Sequence, residues 1–103
     1  MIPSVGGCPV LNTAIDADDG NAMLRARVAK ALRSWLSRLQ SIVEQAQQSG
    51  EVARGVDPKT VATLIVASLE GALMISRLQR TDEAIRCIRA HLNRYLEREV
   101  AAS

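Results

Sequence analysis

Cys87 and His91 stand at i and i+4, a spacing that puts a thiol and an imidazole on one side of a helix. Such a pair can hold a metal ion, but a zinc site takes three or four ligands, and nothing nearby supplies a third. The favoured reading places both beside an apolar stripe, and no metal or cofactor is expected. Cys8 follows Gly6-Gly7 and could serve as a nucleophile or redox sensor. No base is assigned to it, and a free cysteine near a helix start is more often a small buried residue. A phosphate loop, a paired-carboxylate motif and a serine-centred elbow are all missing, so no catalytic residue is nominated and an enzyme is not expected. Glu70 is the remaining residue of chemical interest. It is the one charged group in an otherwise apolar run, VATLIVASLEGALMIS, from Val61 to Ser76.

That run governs the architecture. Over sixteen residues it is apolar on every face of a 3.6-residue period, which marks a helix that must be surrounded by protein. Asp57 is a good N-cap, Pro58 fits the first helical position, and Arg77 and Arg80 complement the negative end of the helix dipole. A membrane span is the competing explanation, but it needs about 20 apolar residues, and this run is shorter and carries an acid.

A chain of 103 residues makes one domain at most, here taken as residues 1–103. Phe is absent, Trp35 and Tyr95 are the only aromatics, and the β-formers fall where the periodicity is helical, so the class is all-α. A net charge of +2 is too mild to argue for nucleic-acid binding. Two cysteines do not make a disulfide scaffold, and the opening residues do not resemble a signal peptide. A reducing, cytoplasmic setting is therefore expected.

The elements that would position these residues follow in order. Met1–Gly7 reads as an irregular lead-in, and Cys8–Asp18 as a short helix with Val10, Leu11, Ala14 and Ile15 on one side. A long amphipathic helix is predicted from about Asn21 to Ser49, closing at Gly50. Its apolar arc holds Leu24, Val28, Leu32, Trp35, Leu36, Leu39, Ile42, Val43 and Ala46, and its polar arc holds Arg27, Lys30, Arg33, Arg38 and Glu44. The basic arc is broad and lacks aromatics, which favours a solvated face over a nucleic-acid or membrane surface. Trp35 is assigned to packing, with ligand stacking as the minority alternative.

Gly50–Val56 reads as a loop, Asp57–Gln79 as the central helix and Thr81–Glu97 as the last one, with Thr81 as its cap. The tail from Arg98 to Ser103 is expected to fray. Ile85, Ile88, Leu92, Tyr95 and Leu96 form the last helix's stripe. Within the central helix Ala67, Ser68, Gly71, Ala72 and Ser76 lower the surface for close approach, and Gly71 costs about 1 kcal/mol relative to Ala, so a packing reason is expected for it. One amphipathic neighbour plus the long helix cannot cover every side of Val61–Ser76. The uncovered side predicts a two-fold dimer in which paired hairpins form a four-helix bundle. Glu70 would then meet either an arginine, such as Arg89 or its copy across the dimer, or water at a gap.

The order of motifs carries a resemblance. GGCPVLN opening into a short helix, a long helix ending in EQAQQSGEV, and D-P-x-x-x-A-x-L-I-V-A-S-L-E-G-A-L followed by a final amphipathic helix are similar to the C-terminal half of tetracycline-repressor (TetR) family transcriptional regulators. The resemblance spans about Gly6–Glu97. It implies a bundle of about four helices, one short and three long, that dimerises through its last two helices and senses a small hydrophobic effector in the bacterial cytoplasm. Leu69, Gly71, Ala72, Ile85, Ile88, Leu92 and Tyr95 become interface candidates. Leu11, Ala14, Ile15, Trp35 and Leu39 become a possible wall of a ligand pocket. Regulators of this family are about twice as long and begin with a helix-turn-helix that these residues do not contain, so specific DNA binding by this chain alone is not expected. The alternative is a free-standing helical homodimer with no ligand or DNA role.

Overall fold

The computed structural model describes residues 22–103, and within them the fold is built from three α-helices: α1 (Ala22–Gln48), α2 (Pro58–Gln79) and α3 (Glu83–Tyr95). The expected short helix Cys8–Asp18 lies outside the described residues. Among the described residues there is no β-strand, only an isolated antiparallel bridge between Val52 and Ala101.

Local capping chemistry sets the helix ends. Gly50, at φ 87°, closes α1: its N–H donates to the Gln47 carbonyl at 3.2 Å, and the Glu51 N–H reaches back to the Ala46 carbonyl at 2.9 Å. These are the paired bonds of a Schellman motif, which needs a left-handed residue and is cheapest with glycine. Asp57 caps α2 with both carboxylate oxygens: one accepts from the Lys59 N–H at 3.1 Å, the other from the Thr60 hydroxyl at 2.8 Å. Pro58 follows at the first helical position, where its missing N–H leaves nothing unsatisfied. At the far end of α2 the same left-handed turn is made by Arg80 (φ 57°, ψ 41°), while the Ser76 carbonyl accepts from the N–H groups of both Arg80 and Thr81. The Thr81 hydroxyl oxygen then accepts from the Glu83 N–H at 3.2 Å and so helps to start α3. Asp82 and Arg86 also meet at 3.4 Å, but both are largely exposed, and a solvated i,i+4 pair of this kind adds little.

Helix α2 packs against both α1 and α3. The best-buried cluster joins Val43 of α1, Val61 of α2 and Val100 near the C-terminus, with Val52, Val56, Ile65, Tyr95 and Leu96 packed around them. The core is therefore concentrated where α1 ends, α2 begins and the chain's tail returns.

The tail does not fray. Leu96–Val100 continues α3 as a single π-helical turn, closed by the Ala101 N–H donating to the Leu96 carbonyl at 2.8 Å. Ala53 donates to the Val100 carbonyl and Ala102 to the Glu51 carbonyl, each at 2.9 Å. Two antiparallel backbone bonds and a Val100 side chain that is 5% exposed fasten the tail to the α1–α2 loop. Val100 is buried there, whereas its neighbours Arg98 and Glu99 are exposed. Nothing in the local pattern of Arg98–Ser103 announces this contact.

Gln47 anchors the same loop from the other side. Its amide nitrogen donates to the carbonyls of Ala53 (2.9 Å) and Val56 (2.8 Å) and lies 3.2 Å from that of Arg54. One side chain thereby gathers the loop's carbonyls, sharing that of Ala53 with the Val56 N–H, which donates to it at 3.2 Å.

Candidate functional site

The helix expected to be surrounded is only partly covered by its own chain. Val61, Ala62 and Ala72 are buried, while Leu64, Ile75 and Leu78 remain exposed, Leu78 at 76%. With a turn every 3.6 residues, Leu64, Gly71, Ile75 and Leu78 fall within an arc of about 60° on one side of α2. A Cβ added to Gly71 would meet nothing within 4 Å. Among the described residues, therefore, nothing supplies a packing reason for a glycine in mid-helix.

The residues nominated from the sequence do not all share this face. Leu69 is also exposed, at 39%, but lies on the opposite side of α2. Ala72 and Leu92 are 2% and 7% exposed within the chain itself, which leaves them little surface to offer a partner. Ile85, Ile88 and Tyr95 are half-buried: they pack on their own side of α3 and keep part of their surface free. Leu64, Ile75 and Leu78 were not singled out by sequence. The signal was present in their positions on the same wheel arc as Gly71.

The proposed pocket wall is only partly visible. Trp35 is exposed at 38% and Leu39 is half-buried on α1. Leu11, Ala14 and Ile15 lie outside the described residues. Ile42, two turns beyond Trp35 on the same edge of α1, is exposed as well, which makes that edge a second apolar strip. A depression near the end of α1 is lined instead by Glu44, Gln47, Gln48 and Arg54, a polar and open site unlike an apolar ligand cavity. The basic residues Arg27, Lys30, Arg33 and Arg38 are all exposed, as a solvated face requires.

Cys87 and His91 are both exposed, and among the described residues no group of three or more metal-binding side chains converges. Two polar atoms on α2 are enclosed without a hydrogen-bond partner, Oε2 of Glu70 and Oγ of Ser76. Glu70 as a whole is half-buried, and among the described residues no donor reaches its enclosed oxygen. By length and composition α2 is apolar enough to cross a membrane, a test that the core helix of a soluble protein also passes.

Residues 3–92 match the family described as the tetracyclin repressor-like C-terminal domain. The chain belongs to this family. Two solved TetR-family regulators superimpose on it: one from Chloroflexus aurantiacus J-10-FL, with a TM-score of 0.90 and 38% identity, covers 95% of this chain and is itself covered to 50%. The other, from Cytophaga hutchinsonii, has a TM-score of 0.89 and 30% identity, with coverage of 95% and 48%. The HTH-type transcriptional repressor DhaR of Mycobacterium sp. (strain GP1) is 22% identical over 79 residues, which are 77% of this chain and 40% of that protein. The chain thus spans half or less of the length of these relatives. Its all-helical TetR C-terminal fold accounts for the arrangement of α1, α2 and α3.

Proposed function

We propose that this chain is the dimerising and effector-sensing half of a TetR-type bacterial transcriptional regulator, acting in the cytoplasm as a homodimer and not as an enzyme. The observation that carries the reading is the open arc of α2. A mid-helix glycine costs about 1 kcal/mol relative to Ala, and among the described residues nothing packs into the space it leaves at Gly71. A second copy laid along Leu64, Gly71, Ile75 and Leu78 supplies the missing reason: the absent side chain lets two backbones approach closely. Ile85, Ile88 and Tyr95 extend the contact onto α3 through the surface they keep free. A two-fold arrangement covers the same arc on both copies at once and yields a four-helix bundle.

Effector sensing rests on family membership and on the exposed apolar edge of α1 around Trp35. That edge is one wall, so an apolar ligand gains little burial from it, and affinity near the millimolar range is expected for the chain alone. Specific operator binding is not expected of it, because the exposed basic residues of α1 offer only salt-sensitive, sequence-independent attraction.

Sedimentation decides the first part: a dimer is expected at tens of micromolar, an order of magnitude suited to standard-size interfaces, and a monomer there would remove the basis of the proposal. Trp35 fluorescence titrated with hydrophobic compounds, and DNA retention at physiological salt, decide the rest. The second reading, a helical homodimer with no ligand or DNA role, predicts the same sedimentation but an unresponsive Trp35.

A further inference from the structure

We propose that the second copy runs antiparallel along α2 with the two-fold axis at Gly71, so that Leu64 of each chain faces Leu78 of the partner subunit. The inference rests on the dimer reading above and gives that interface its direction and register.

The exposed pattern is centred on Gly71. Leu64 stands seven residues before it and Leu78 seven after it, and both side chains are exposed, at 40% and 76%. Each seven-residue step falls only about 20° short of two full turns. The three residues therefore form one nearly straight seam, and a shallow left-handed crossing of two helices takes up the drift. A two-fold axis perpendicular to α2 reverses the order of residues about the centre of the seam. Equal spacing on either side of Gly71 is what that operation needs to set leucine against leucine.

The axis falls on the one seam position without a side chain. A residue on the axis meets its own copy, so whatever it carries is present twice at one level. Among the described residues nothing lies within 4 Å of a Cβ added to Gly71, which leaves that room for the partner's backbone. A slip of seven residues would press each Gly71 against a leucine of the other copy and leave the remaining leucines in water. Shape alone thus selects the register.

Direction comes from charge. Between Arg77 and Arg89, at the C-terminal end of α2, four arginines face only Asp82 and Glu83, whereas Glu51–Lys59 at its N-terminal end holds two charges of each sign. A parallel pair brings the two arginine-rich ends together and aligns two helix dipoles. An antiparallel pair sets each such end beside the partner's balanced one and separates the like ends by the length of α2, about 33 Å, well beyond a Debye length of about 10 Å.

The seam alone is too narrow for a stable contact. A standard interface takes about 800 Å² from each partner, more than three residues of one helix can offer, so the contact continues onto α3, where Ile88 and Tyr95 keep part of their surface free. With α2 beside its copy and α3 beside its own, every neighbouring pair in the four-helix bundle is antiparallel.

Cross-linking tests the direction. In chains freed of thiols by Cys8→Ser and Cys87→Ser, Leu64→Cys and Leu78→Cys are made separately and oxidised alone and as an equimolar mixture, with circular dichroism as the check on folding. A disulfide needs Cα atoms within about 7 Å, whereas the antiparallel dimer holds the two copies of position 64 about 21 Å apart. Covalent dimer is therefore expected from the mixture and from neither variant alone. Leu64→Glu and Leu78→Lys, in the otherwise unmodified chain, give a second reading that does not depend on the serine changes: each alone should sediment as folded monomer, and mixing them should restore a dimer. Covalent dimer from each cysteine variant by itself means a parallel pair and overturns the proposal while the dimer stands. No covalent dimer in any sample, with no rescue on mixing the charged variants, puts the interface off this seam and overturns it too. If the unmodified chain is a monomer, the dimer reading fails and the proposal falls with it.

Discussion

Leu69 and Gly71 are two positions apart on α2, which turns them about 200° away from each other around the helix, yet both present open surface. A single flat partner cannot cover both. Gly71 belongs with Leu64, Ile75 and Leu78, so Gly71→Arg is expected to abolish dimerisation and leave a folded monomer, while Leu69→Arg should leave the dimer in place. Size-exclusion chromatography with light scattering on the two variants separates these outcomes, and equal loss of dimer in both would contradict the assignment of the interface to one arc.

Gly71→Ala offers a gentler probe with opposite signs. Because the added Cβ meets nothing in the chain, the isolated subunit should become more stable by about 0.5–1 kcal/mol through helix propensity. The dimer should weaken if two backbones approach at this point. Unfolding at low and high protein concentration reports the two effects separately.

Arg80 repeats at the end of α2 the left-handed turn that Gly50 makes at the end of α1. An L side chain pays a steric penalty there that glycine does not, partly offset by glycine's greater freedom in the unfolded chain. Arg80→Gly is expected to stabilise the chain by about 0.5–1 kcal/mol. Urea titration measures it, and a loss of stability would show that the Arg80 side chain contributes more than its backbone strain costs.

Val100 ties the tail to the core. Val100→Ala should cost roughly 2 kcal/mol from lost apolar burial and the small cavity left behind. Deleting residues 100–103 should cost more, since it also removes the bonds to Ala53 and Glu51. A tail that frayed in solution would give no change in the urea midpoint for either variant.

Gln47 is a donor facing carbonyls. Replacing it by Met removes the bonds to the Ala53 and Val56 carbonyls, for about 1–3 kcal/mol. Glu at the same site should be worse than Met, because an ionised carboxylate can only accept and would confront acceptors. Comparing the two variants by thermal melting checks the sign, independently of their absolute stability.

Helix ends were legible in the sequence because their causes are local. Asp57-Pro58 starts α2 and Gly50 ends α1 through bonds that span a few residues, so residue type and order suffice to place them. The apolar excess of Val61–Ser76 was legible for the same reason, since it is a property of composition and period alone. The order of motifs likewise carried the TetR resemblance, because spacing is conserved in the chain before it folds. What the sequence could not assign was direction. A helix that is apolar all round has no marked inner side, and only packing against α1 and α3 turned Ala72 inward while leaving Gly71 open beside it. The return of Val100 to the α1–α2 loop and the enclosure of the Glu70 oxygen depend on residues brought together from distant points in the chain or on the exclusion of water around them. Those are consequences of tertiary contact, and no local pattern of residues encodes them.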